Sequence, residues 1–166
     1  MLKIEIEQAL NDQIVKEAFA SISYLSMAGW CETGGLSGAG EFFYAQSAEE
    51  RQHMLKLFRY VNASGGHAMT PETKRPLIEY DSLHHAVAVS LKQETEVTKS
   101  IHELTDLTLR VKDFGTFNFL QWFITEQQEE ERVFKSIEDM LRLAGGKDAN
   151  LLIVDNEIRQ FKSKEK

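Results

Sequence analysis

The sequence predicts an all-α protein, a four-helix bundle with one long crossover and a short fifth helix at its C-terminal end. Three observations predict it. Both prolines, Pro71 and Pro76, fall close together, and the proline-free stretches on either side leave room for long helices. Apolar residues recur at helical spacing through four segments of those stretches. Glycine pairs or capping residues punctuate the pattern where most segments end.

The first helix is predicted from about Glu5 to Cys31, ending near Gly34-Gly35. The second runs from about Ser37 to Asn62 and ends near Gly65-Gly66. Residues 67–81 hold both prolines and read as a connection. Ser82 is placed to cap a third helix that runs to about Lys112. Asp113 and Gly115 mark a short turn, and a fourth helix follows to about Ala144, closed by Gly145-Gly146. Asp148 is placed to cap the fifth helix, with Leu151, Leu152, Ile158 and Phe161 as its apolar contacts. Tight joins make helices one and two antiparallel, and likewise three and four. The connection between the pairs, about 15 residues at about 3.3 Å each when extended, reaches about 50 Å. A helix of about 28 residues is about 42 Å long. The connection can therefore cross the bundle from end to end, and residues 1–166 read as a single domain.

The chain of 166 residues is long enough to bury one sizeable core. Its net charge of −7 and pI near 5.3 argue against nucleic acid as a partner and suit small cations. Cys31 is the only cysteine, so no internal disulfide and no CxxC metal motif can form, and a reducing cytoplasm is the expected compartment. The segment Met1 to Glu7 has no apolar signal core. No apolar run approaches the roughly 18 residues that span a membrane, and no membrane partner is expected.

The informative feature is where certain polar residues fall. On helix one, Glu17 lies within a stripe of Leu10, Ile14, Ala18, Tyr24, Leu25 and Ala28. On helix two, Glu50 and His53 lie within Ala39, Phe43, Leu57 and Val61. On helix three, Leu83, Val87, Leu91, Val97, Ile101 and Leu104 flank Glu94. On helix four, Leu120, Phe123, Phe134, Ile137 and Leu141 flank Gln127 and Glu130. Helical spacing turns all six polar residues inward, each near mid-helix. Taken singly, a Glu in such a stripe is more often an edge residue whose head reaches water. Together they place four carboxylates in a core with no matching Lys or Arg, which costs heavily unless they are protonated or bind cations. Glu50 and His53, at i and i+3, can reach one metal, and Gln127 and Glu130 repeat that spacing. A carboxylate-bridged two-metal bundle takes Glu from two helices and Glu-x-x-His from the other two. This chain has the first Glu-x-x-His, and Gln-x-x-Glu where the second would stand.

The runs Glu49-Glu50-Arg51-Gln52-His53-Met54, Phe117-Asn118-Phe119-Leu120-Gln121-Trp122 and Glu126-Gln127-Gln128-Glu129-Glu130-Glu131 resemble those of bacterial non-haem ferritins. The likeness extends over essentially the whole chain. It implies a ferritin-like bundle, a hollow homo-oligomeric shell of 24 subunits, and a ferroxidase centre. That centre would oxidise Fe(II) with O2 or H2O2 and pass ferric iron to a mineral core. By position, Glu17, Glu50 and His53 resemble the ligands of a first iron, with Glu50 bridging to a second surrounded by Glu94, Gln127 and Glu130. Glu49, Glu126 and Glu129 resemble a third, inner-surface iron site, with Glu130 as a possible shared ligand; a run of acids is otherwise usually a solvated face. Tyr24 resembles the family's tyrosine beside the centre, and core packing is its other reading. Trp122 could supply an electron, but packing is the simpler role.

Departures from relatives narrow the match. Bacterioferritins carry a haem-ligating Met directly after the bridging Glu and a His at the position of Glu130. This chain has Arg51 and Glu130 there, and Met54 faces the wrong side of the turn, so no haem is expected. Animal ferritins line their three-fold channels with acids where this chain has Phe117 and Leu120. Mini-ferritins build their site between subunits, and rubrerythrins need further cysteines. Carboxylate oxygens and one imidazole suit iron. One His and one Gln leave the second iron loosely held, which fits iron as a substrate that moves on. Two other functions compete: a two-metal oxidase or oxygenase that retains its metals, and a non-catalytic bundle with protonated inward acids. His67, His84, His85 and His102 show no ligand spacing beyond the adjacent pair and read as surface residues.

Overall fold

The structure, a computed structural model, describes residues 2–146 and 148–161; the side chains of residues 148 and 149 lie outside the description. Among the described residues it is all-helical, in the order α1 (Ile4–Thr33), α2 (Ser37–Ala63), α3 (Leu83–Arg110), α4 (Phe114–Ala144) and α5 (Asp148–Ile158). The helix ends agree with the expected ones to within two residues, except at the α3–α4 join. There Gly115 lies inside α4 and is not part of the turn. Lys112 instead takes the left-handed position, φ 59°, and the Asp113 side chain accepts from Thr116 N–H at 3.0 Å, starting α4 at Phe114. Ser82 caps α3 as expected, accepting from His85 N–H at 3.0 Å. The α1–α2 turn closes through Gly35, φ 80°, with Leu36 N–H donating to Cys31 O at 2.8 Å. Asp148 is the first residue of α5, and its expected capping side chain lies outside the described residues.

The crossover is legible in its hydrogen bonds. It leaves α2 beside the start of α1, where Leu2 N–H donates to Ser64 O. It then climbs α1, with Met69 N–H donating to Asn11 Oδ1 at 2.8 Å and Ser26 Oγ to Leu77 O at 2.5 Å. It ends where Tyr80 meets the Trp30 ring edge-on. From Asn11 to Ser26 α1 rises about 22 Å at 1.5 Å per residue. The chain thus re-enters at the far end, and α3 runs antiparallel to α1 and α4 antiparallel to α3.

The core has two apolar halves. One holds Tyr24, Met27, Phe42, Phe43, Phe134, Ile137 and Leu141, and the other Ile6, Leu10, Ile14, Leu57, Val61, Ile101, Leu120 and Phe123. The gap between them, at residue 17 of α1, 50–53 of α2, 94 of α3 and 127–130 of α4, is where the sequence changes from apolar to acidic. Three expected core positions are corrected. Leu25 is 51% exposed, lying about 100° around α1 from the buried Tyr24, while Met27 and Cys31 fill the interior; Leu91 is half-buried but packs against the core from its margin. On α5, Leu152 is 58% exposed, since Leu151, Val154 and Ile158 share the inward face and Leu152 lies about 100° away.

Helix α5 packs across α2 and α4 and closes one end of the bundle. The buried Asp155 carboxylate accepts from Gly38 N–H at 2.9 Å and Ala39 N–H at 2.8 Å, capping α2 from a distant part of the chain. Gly38 is required there, because a Cβ would stand 1.9 Å from Asp155 O. No described helix is long and apolar enough to cross a membrane.

Candidate metal centre

All six expected ligands of the first two irons converge between the apolar halves. Glu17, Glu50, His53, Glu94, Gln127 and Glu130 are each at most 3% exposed. Ligand atoms of Glu17, Glu50 and His53 lie within 4.8 Å of one another. His53 Nδ1 is 3.1 Å from Glu50 Oε2 and 4.0 Å from Glu17 Oε2. Across the centre, Gln127 Nε2 donates to Glu94 Oε2 at 3.0 Å, and the Tyr24 hydroxyl donates to Glu94 Oε1. Tyr24 is also a packing residue, stacked between Phe43 and Phe134, so its two readings coexist.

The electrostatics show what the site lacks. Among the described residues, no Lys or Arg forms an ion pair with Glu17, Glu50, Glu94 or Glu130. Burial pushes the Glu50 and Glu130 carboxyls well above the usual carboxylate range, and neighbouring acids push them further. Glu94 is raised to about 7 by burial, although the hydrogen bonds from Tyr24 and Gln127 pull it down. Burial, with Glu94 and Glu50 nearby, also raises Tyr24 and keeps its phenol protonated. Glu17 Oε2 and Glu50 Oε1 are buried with no hydrogen-bond partner. Inward carboxylate oxygens left without donors, beside one imidazole, are the donor set of a hard cation. The residues therefore fit iron.

The third-site expectation divides. Glu49, His53 and Glu126 form a second group within 4.8 Å, and Glu126 is 5% exposed, unlike a residue of a solvated face. Glu129 is not in that group. Its carboxylate takes both nitrogens of a bidentate pair with Arg132, at 2.6 and 3.0 Å. Trp122 packs edge-on to His53 at 5.3 Å and lies under Lys56 Nζ at 4.1 Å. Three further buried polar residues, Gln13, Gln46 and Ser100, border the centre, and nothing in their residue type marks them as part of it. Gln13 and Gln46 each stand one turn before a site glutamate, an i, i+4 spacing that could have singled them out. Gln46 Nε2 donates to Glu130 Oε2 at 3.1 Å.

Residues 7–144 match the model of the ferritin-like domain family. A Campylobacter jejuni bacterial non-heme ferritin is 40% identical over 161 residues, covering 97% of this chain and 96% of its own. This chain belongs to the bacterial non-haem ferritins. A probable bacterial non-heme ferritin-like protein of Haemophilus influenzae is 38% identical over 99% of both chains. In structure, the ferritin resembles an Archaeoglobus fulgidus ferritin engineered into a closed form, with TM-score 0.93 and 38% identity over 96% of this chain and 97% of that one. It is equally similar, at TM-score 0.93 and 37% identity, to the open-pore ferritin of the same archaeon. The all-helical bundle with its short C-terminal helix is thus that of an iron-storage ferritin subunit.

Proposed function

We propose that this ferritin subunit is a ferroxidase, oxidising Fe(II) at a two-iron centre inside the bundle before ferric mineral is stored. The observation that carries this reading is the convergence of four buried carboxylates, one imidazole and one amide, with no Lys or Arg paired to those carboxylates among the described residues. Glu17, Glu50 and His53 would hold one iron, and Glu94, Gln127 and Glu130 the other, with Glu50 between them. Carboxylate-bridged metals sit about 3.5–4 Å apart. Two Fe(II) ions together give two electrons, which with two protons reduce O2 to H2O2, or H2O2 to two waters. Glu50, Glu94 and Glu130 hold protons more tightly than ordinary acids. They give them up as a cation binds. Tyr24 holds Glu94 through its hydroxyl and would lie beside the second iron. Glu49 and Glu126, with His53, would offer a third iron position; Glu129, outside that group, is held by Arg132 and would have to turn towards them. The single ferritin-like domain spans the chain, and we place the protein in the cytoplasm.

Anaerobic addition of Fe(II) followed by O2 tests the reading. A ferroxidase turns excess iron over into soluble ferric mineral. A two-metal oxygenase reacts only stoichiometrically, and a non-catalytic bundle does neither; either result refutes the proposal.

Two further expectations concern the assembly. Leu143, Leu152 and Ile153 are 58–76% exposed at the α4–α5 end, apolar side chains that contact between subunits would cover. We expect a shell of 24 subunits, so sedimentation at physiological salt should give a mass of several hundred kDa, and a monomer or dimer would refute this. No haem should bind. The residue after Glu50 is the exposed Arg51, which offers no thioether. Expression with ample haem should yield no stoichiometric Soret band; a full band would contradict the assignment.

A further inference from the structure

We infer that Gln13 and Ser100 are positioning residues for the iron centre, forming a buried Ser100–Gln13–Glu17 chain that holds one oxygen of Glu17 and aims the other at the metal. Gln13 Nε2 donates to Glu17 Oε1 at 2.7 Å. Ser100 Oγ lies 2.6 Å from Gln13 Oε1 and 2.9 Å from its own helical neighbour, Val97 O. The chain is walled off from water, with Gln13 2% and Ser100 8% exposed. It links α1 to α3, the helices that carry Glu17 and Glu94.

The chemistry favours one arrangement. A side-chain amide has one accepting end and one donating end, and its orientation is set by what each end meets. Flipping Gln13 would put its carbonyl oxygen 2.7 Å from a carboxylate oxygen, lone pair against lone pair. The Ser100 hydroxyl, whose proton is shared between Gln13 Oε1 at 2.6 Å and Val97 O at 2.9 Å, supports the observed orientation by donating to Oε1. With Oε1 held by the Gln13 amide at 2.7 Å, rotation of the Glu17 carboxyl group breaks a buried hydrogen bond and is disfavoured. Its Oε2, buried and without a partner, therefore stays pointed towards His53 and Glu50. A ligand already in place loses no rotational freedom when the ion arrives. Removing an outer partner of a metal ligand typically costs about 10–100-fold in metal affinity or activity.

This rests on the ferroxidase reading of the centre, and the test separates the two. Zn(II) binding to the assembled, metal-free protein is measured by calorimetry, with the visible spectrum of Co(II) as a report on ligand geometry. Gln13→Leu should weaken the tightest site by about tenfold or more and alter the Co(II) bands. Ser100→Ala should do both to a smaller degree. Ser100→Thr keeps the hydroxyl and should restore wild-type binding. Thr105→Val removes a buried α3 hydroxyl that donates to Ile101 O at 2.7 Å, away from Gln13 and Glu17, and should change neither readout. Should Gln13→Leu fail to assemble, the Ser100 pair decides. Wild-type affinity and spectra in Gln13→Leu and Ser100→Ala overturn the inference, as does an equal loss in Thr105→Val. Glu50→Ala is the control on the centre itself. If it binds Zn(II) as wild type does, the metal assignment fails whatever Gln13 shows; if it alone loses binding, only the positioning chain fails.

Discussion

Replacing Glu50 with alanine should abolish the fast phase of Fe(II) oxidation, slowing it by about 100-fold or more. Losing only an outer partner of a ligand already costs about 10–100-fold, and Glu50 is proposed as the ligand shared by both irons. The fold should survive. Glu50 Oε1 has no hydrogen-bond partner, and burial holds its carboxyl well above the ordinary range, so the metal-free protein loses a strained group. A small cavity offsets part of that relief. Stopped-flow absorbance after mixing Fe(II) with oxygenated buffer, together with circular dichroism and sedimentation, measures both. Wild-type rates in a folded, assembled variant would remove Glu50 from the mechanism.

The second large effect concerns the metal-free protein and pH. Glu94 has its carboxyl raised from the ordinary 4.5 to about 7. An acid whose folded value is raised favours folding when protonated. Its contribution is full below about pH 4.5 and is lost as pH climbs through about 7. The shift corresponds to a few kcal/mol in order of magnitude, at about 1.4 kcal/mol per unit. Chelator-treated protein should therefore melt at a higher temperature at pH 6 than at pH 8.5. Glu94→Gln should raise the melting temperature at pH 8.5 and flatten the dependence, by about 2–4 °C for each kcal/mol relieved. The amide fits the vacated contacts, since its oxygen can accept from Gln127 and its nitrogen can donate to the Tyr24 oxygen. Adding Zn(II) should reverse the ranking, because a cation bound only by the native state stabilises it by mass action. A metal-free variant that melts clearly lower at pH 8.5 would show that burial does not strain these acids.

Both effects stem from residues legible in the chain alone. Glu17, Glu50, His53, Glu94, Gln127 and Glu130 stood out because helical periodicity makes an inward face countable, and acids on such a face break the pattern. Glu126 was less legible. It shares an acidic run with Glu129 and Glu131, and spacing could not tell that it is buried beside His53 while Glu129 meets Arg132. Gln13, Gln46 and Ser100 were passed over for a related reason. A neutral polar residue on a helix has many solvent-facing explanations, and its partner is on another helix.

By itself, then, the sequence determined the helices, their antiparallel pairing, the crossover and the inward placement of the six polar residues proposed as ligands, because each follows from local spacing, caps and chain reach. Tertiary structure alone decided which oxygens are held and which are left free. Glu17 Oε1 is taken by Gln13 and Glu130 Oε2 by Gln46, whereas Glu17 Oε2 and Glu50 Oε1 remain without partners. It also decided that Asp155, more than a hundred residues away along the chain, caps α2 through Gly38 and Ala39. The physical reason is common to these cases. Backbone propensity acts over a few residues, but a buried polar atom must be satisfied by whatever side chain packing brings within about 3 Å.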